Sequence, residues 1–99
     1  MTRIDWTDEA VHDLEAVRDY IARDSEHYAA SVCADIVHAV ERLAVFPEHG
    51  RIVPELRRAT LRELIQGSYR VVYRLHSLER VEVLTVFHGA RLLRLEGPG

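Results

Sequence analysis

The chain has 99 residues, 47% hydrophobic and 29% charged, a balance that suits one globular domain spanning 1–99 and excludes a disordered chain. Cys33 is the only cysteine, which excludes an intrachain disulfide, and no apolar run approaches the ~18 residues of a membrane span. The net charge of −3 conceals a split: residues 1–49 carry eleven acidic side chains against four arginines, and residues 50–99 carry nine arginines against five acids. Either an anionic partner meets the second half, or the two halves neutralise each other inside one fold. Met1 to Asp5 contains no apolar run of the kind that opens a signal peptide, so a cytoplasmic protein without membrane contact is expected.

In chain order, Arg3-Ile4-Asp5-Trp6 alternates polar and apolar and predicts a short first strand. Thr7 offers an N-cap hydroxyl, and Asp8 and Glu9 put negative charge in the first turn of a helix. Val11, Leu14, Val17 and Ile21 then recur at helical spacing, with Ala10 and Tyr20 beside them, and the helix ends near Arg23-Asp24. Ser25 caps a second helix carrying Val32, Ile36, Val40 and Leu43, which Pro47 stops. So short a connection makes the two helices an antiparallel hairpin. Cys33 falls inside the second helical pattern and reads as a small buried apolar residue.

Pro47 to Ala59 reads as a loop punctuated by Gly50 and Pro54. The period then changes from helical to alternating. Leu61 to Gln66 predicts a strand, Gly67-Ser68 a two-residue turn, and Tyr69 to His76 the returning strand. Tyr69, Val71, Tyr73 and Leu75 share one face as core residues, and Arg70, Val72, Arg74 and His76 share the other. Ser77-Leu78-Glu79 turns the chain into a last strand, Val81 to His88. The expected fold is α+β in two layers: an N-terminal strand, then an antiparallel helical hairpin packed on an antiparallel β-sheet with a C-terminal three-strand meander. Where the first strand joins that sheet is not fixed by pattern. Val81, Val83, Leu84 and Val86 make the last strand apolar on both faces, which predicts a groove for a partner segment.

The chain has no phosphate-cradling glycine loop, HExxH, paired cysteines or nucleophile elbow, so no cofactor is implied. None of the six histidines pairs with another at i,i+4 on a helix, and no metal site is expected. The chemistry-bearing segment is the hairpin with Arg62, Arg70 and Arg74, followed by His88-Gly89-Ala90-Arg91. Converging on one face, these side chains would suit phosphate, because each guanidinium is permanently charged and bonds an anion bidentately. The alternative pairs them with Glu63, Glu79 and Glu82 across the strands.

Trp6-Thr7 with Ala10 and Asp13-Leu14, Tyr20-Ile21, Phe46-Pro47 with Gly50-Arg51 and Val53-Pro54-Glu55, Arg62-Glu63-Leu64, Gly67, Tyr69-Arg70-Val71, Tyr73-Arg74, and His88-Gly89 with Arg91 together resemble the RelE/ParE superfamily, over residues 4 to 93. The resemblance implies a toxin neutralised by an antitoxin encoded beside it, with operator DNA contacted only through that antitoxin. One branch of the superfamily cleaves ribosome-bound messenger RNA; the other poisons DNA gyrase. Arg70 and Arg91 match basic positions of the ribonuclease branch, with Arg62 near a further one. The ending Leu92-Leu93-Arg94-Leu95 lacks that branch's tyrosine, and no lysine is present. Only His88 is then suited to proton transfer near neutral pH, since arginine stays protonated. The expectation is therefore a ParE-like gyrase inhibitor with Arg62, Arg70, Arg74 and Arg91 as target contacts. The alternatives are a ribonuclease using Arg70, His88 and Arg91, or a degenerate toxin that acts only as the antitoxin's partner.

Overall fold

The computed structural model describes residues 1–90 as one five-stranded sheet backed by a helical hairpin. The elements are β1 (Arg3–Trp6), α1 (Asp8–Ala22), α2 (Glu26–Glu41), a single 3-10 turn (Arg42–Ala44), β2 (Arg51–Ile52), β3 (Leu61–Gln66), β4 (Tyr69–Ser77) and β5 (Arg80–His88). The strand order is β1-β5-β4-β3-β2. β3, β4 and β5 form the expected antiparallel meander, and β2 adds two residues antiparallel to β3 inside the stretch expected to be a loop. β1 joins the outer edge of β5 and runs parallel to it, Arg3 opposite Arg80 and Trp6 opposite Val83, so the sheet is mixed. The chain between β1 and β5, which includes the helical hairpin, supplies the long connection that a parallel pairing requires.

Both helix starts are capped by hydroxyls. Thr7 Oγ1 accepts from the Ala10 amide (3.0 Å) and Ser25 Oγ accepts from the Tyr28 amide (3.1 Å). The second helix ends at Glu41, earlier than Pro47 suggested, because its last turn tightens and the Ala44 carbonyl accepts from the Thr2 amide (2.8 Å). The main core lies between helices and sheet. Ala10, Ile36, Ala39, Val40 and Leu43 pack on Leu64, Val71, Tyr73, Val81, Val83 and Val86, with Leu14 and Val17 half-buried beside them. Each large apolar side chain so buried stabilises the fold by about 1.5–3 kcal/mol. Val11, placed on the helical stripe by its spacing, is largely exposed, and so is Tyr20.

A second, smaller core covers the opposite face of the sheet. The segment from Val53 to Leu56 folds back so that Val53 and Leu56 pack with Leu61, Val72, Leu84 and Phe87. The apolar residues on both faces of β5 thus have cover within the chain. β5 also carries a bulge, where the pairing shifts between Val72–Thr85 and Tyr73–Val83. Two side chains satisfy the groups it frees: Thr7 Oγ1 donates to the Leu84 carbonyl (3.1 Å), and Asp13 accepts from the Val86 amide (3.0 Å) and the Thr85 hydroxyl (2.6 Å).

Candidate functional site

The β3–β4 hairpin that carries the arginines turns through Gly67, whose φ of +59° makes it the first residue of a type II′ turn. Gln66 pairs with Tyr69, so Arg62 falls opposite Tyr73, whereas Arg70 falls opposite Ile65 and Arg74 opposite Leu61. The arginines therefore divide between the two faces. Arg62 lies on the helix side, where its guanidinium donates to the carbonyls of Ala59 (2.8 Å), Gly50 (3.1 Å) and Glu48 (3.3 Å). Arg70 and Arg74 lie on the other side with Val72 between them. Arg74 is half-buried and makes no ion pair among the described residues. Arg91 lies outside the described residues.

Arg70 is the most constrained of the set. Its side chain is 8% exposed, and its Nε and Nη2 donate to Glu63 Oε1 at 2.8 and 2.6 Å. Nη1 and Nη2 donate to the two oxygens of Glu55, each at 2.7 Å, a bidentate fork. The Phe87 ring lies 5.1 Å below the guanidinium carbon. Glu63 is fully buried, and its other oxygen receives Arg51 Nε and Nη2, both at 2.6 Å. Bonds from Glu55, then Glu63, raise the Arg70 pKa further against the opposing effect of burial. Among the described residues, two arginines and two carboxylates thus form one network that ties the segment bearing Glu55 to the middle of the sheet.

His88 sits opposite Tyr69 on the helix side, with its ring edge-on to the tyrosine at 5.7 Å and its Nδ1 accepting from the Ala90 amide (3.2 Å). Arg70 and His88 project from different faces, although both border an open cleft of about 660 Å³ at the turn end of the sheet, together with Arg51, Glu55 and Ser68. Tyr73 is a core residue as its alternation implied. It is fully buried, its phenol donates to the Pro47 carbonyl (2.8 Å), and it accepts from the Gly50 amide (2.9 Å). A side chain at Gly50 would meet the Tyr73 ring at 2.6 Å, so this contact requires glycine. Cys33 is half-buried, and burial pushes its thiol pKa up, away from reactivity. Among the described residues no group of His, Cys, Asp or Glu could hold a metal, and no helix is long and apolar enough to cross a membrane.

Of the carboxylates expected to pair across the strands, Glu63 takes Arg70 and Arg51, while Glu82 lies within hydrogen-bond distance of the His76 ring at 3.0 Å. Two roles escaped pattern reading. Glu55 has no local signal, since it meets Arg70 across fifteen positions of irregular chain. Asp13 on the polar flank of α1 looks like surface charge until the bulge it caps is known.

A helical hairpin packed on a mixed sheet of order β1-β5-β4-β3-β2, with arginines on both of its faces and an open cleft at its turn end, is the architecture to be placed among known families. The family model for the ParE toxin of the parDE type II toxin–antitoxin system matches residues 4–93, and the chain belongs to that family. It is 36% identical over 92 residues to Toxin RelE2 of Caulobacter vibrioides, covering 93% of this chain and all of the relative. It is 40% identical over 88 residues to Putative toxin Y4kP of Sinorhizobium fredii, covering 87% and 86% of the two chains. Among solved structures, a chain of the chromosomal ParDE system of P. aeruginosa shares the fold, with a TM-score of 0.73 at 23% identity over 89% of this chain and 96% of that one. A chain of the RelBE2 toxin–antitoxin complex of Mycobacterium tuberculosis aligns with a TM-score of 0.63 at 25% identity over 88% and 96%.

Proposed function

We propose that this toxin acts by binding DNA gyrase, without cutting RNA, and that a cognate antitoxin encoded beside it holds it inactive. The carrying observation is the state of Arg70. In a ribonuclease, the sheet arginines must offer guanidinium to the scissile phosphate. Here Arg70 is closed in by Glu63 and Glu55, and the smaller core around Val53 and Phe87 covers the same face. Arg62 directs its Nε and Nη1 to three backbone carbonyls on the helix side. His88, the side chain best suited to proton transfer, leaves the sheet on the other face. The family model named for ParE toxins and the fold shared with a ParDE component agree with this reading. Both solved relatives come from toxin–antitoxin systems, which supports the antitoxin as partner.

The second reading is a ribosome-dependent messenger-RNA endoribonuclease. The relative named RelE2 and the exposed position of His88 on an open cleft favour it. Expression without the antitoxin, followed by assays of purified toxin, separates the two. Gyrase-directed action gives growth arrest with DNA damage and intact message, inhibition of gyrase supercoiling in vitro, and no loss on His88→Ala. A codon-positioned cut of ribosome-bound message that falls about 10²–10⁴-fold in His88→Ala would install the ribonuclease instead. No growth arrest at all would leave a degenerate toxin.

A further inference from the structure

The tip of the helical hairpin carries two large aromatic side chains that the core does not use. Tyr20, near the end of α1, is 69% exposed, and Tyr28, in the first turn of α2, is 60% exposed. Both border a cleft of about 390 Å³ between the hairpin and the β3–β4 turn, shared with Ile21, Asp35, Tyr69 and His88. Burial there pushes the Tyr69 phenol pKa up, and Tyr20 and Tyr28 stand close enough to add to that shift. Aromatic rings with an apolar body and a polar tip are characteristic of surfaces that receive a partner.

The charge around the cleft specifies what kind. Asp35 is the carboxylate on the lining of the cleft and no arginine lies among the lining residues, while in the connecting turn nearby Arg23 and Asp24 cancel. Ring faces and carboxylates attract the same kind of ligand, a cation. Tyr20 already shows this preference internally, since the Arg23 guanidinium stands 6.0 Å from its ring centroid, the outer limit of such contacts. A contact that long and that exposed is readily displaced.

We propose that the cleft receives an arginine or lysine side chain of the antitoxin, seated on the Tyr20 and Tyr28 rings with Asp35 as counter-charge. Ile21 and Val32 at its side suit the aliphatic stem. The proposal rests on the antitoxin being the partner, and it adds the chemistry of the contact. The test is calorimetric titration of the purified toxin with the product of the neighbouring reading frame, for the parent, Tyr20→Leu, Tyr28→Leu and Asp35→Asn. Each change is expected to weaken binding on the order of tenfold, while Tyr28→Phe, which keeps the ring, binds as the parent does. Asp35→Asn should also flatten the salt dependence of binding. Leucine variants that bind like the parent, with circular dichroism confirming their fold, overturn the proposal. So does parent toxin that self-associates through these residues, which would make a second copy the occupant. A parent that does not bind the neighbouring product at all sinks the antitoxin reading itself, and the proposal falls with it.

Discussion

Replacing Arg70 with leucine removes a cation that reaches both Glu63 and Glu55. Glu63 is fully buried and, among the described residues, keeps Arg51 as its ion partner, whose side chain is 60% exposed. Breaking a buried pair by deleting one partner costs about 3–5 kcal/mol, because a charge is left without compensation. Arg51 retains part of that compensation, which places Arg70→Leu near the lower end, about 3 kcal/mol. Glu55 is 22% exposed and can rehydrate, so its half of the network adds at most about 1 kcal/mol. Against a total of about 5–15 kcal/mol for a domain of this size, such a loss is large. With a urea slope of about 1–1.5 kcal/mol/M, the unfolding midpoint should fall by roughly 2–3 M. The paired change Glu63→Leu with Arg70→Leu removes both buried charges and fills their place with apolar volume. It should recover to within about 1 kcal/mol of the parent. An Arg70→Leu variant that loses under about 1 kcal/mol, or a double variant as unstable as the single one, would refute the argument. The result also governs activity assays, since a loss of toxicity in an Arg70 variant says nothing about phosphate contact until folding has been measured.

Ile36→Ala should cost about 2–5 kcal/mol by the same urea melts, and Leu14→Ala less, because Ile36 is fully buried and Leu14 only half so. Gly50→Ala should cost about 1–3 kcal/mol, since the new methyl would meet the Tyr73 ring and, at 2.8 Å, the Glu63 carbonyl; parent-like stability would show that this corner yields. The Tyr73 phenol ionises above its ordinary value of 10.0 because burial penalises the phenolate. Its stabilising contribution is therefore complete below about pH 10 and is lost as pH rises through the raised value. Tyr73→Phe should start about 1–3 kcal/mol less stable at neutral pH, with two backbone groups left unpaired, but should lose less on an alkaline ramp followed by circular dichroism. Tyr69, also raised by burial, stays in both proteins, so identical alkaline slopes would deny Tyr73 this role.

Periodicity located the helical hairpin, the meander and the division of β4 into two faces, because burial imposes a repeat on each element. It misplaced Val11 and set Tyr20 beside the stripe although both are exposed, since a stripe defines a direction and not the distance at which the sheet ends. The division of the arginines and His88 between the faces was missed, since they were expected to converge on one, although the turn already implies it. A two-residue turn at Gly67-Ser68 pairs position 62 with 73, which puts Arg62 on the tyrosine face. The parallel placement of β1 was not legible, because four alternating residues carry no information about their neighbour. Nor was the bulge, where Val83-Leu84-Thr85-Val86 runs on without a glycine or proline to mark it. The Glu55–Arg70 contact depends on how an irregular segment folds over a finished sheet. No spacing rule reaches it.

The position of β5 has a consequence for synthesis. It lies between β1 and β4, pairs with both, and seats the bulge that Asp13 and Thr7 cap. A nascent chain that has delivered only residues 1–79 has both helices and the β3–β4 hairpin, but nothing to join β1 to them. At about 5–20 residues per second, the ribosome spends several seconds making a product that cannot yet assemble its sheet. Any message broken before the codons for Arg80–His88 therefore yields a fragment without the toxin's fold.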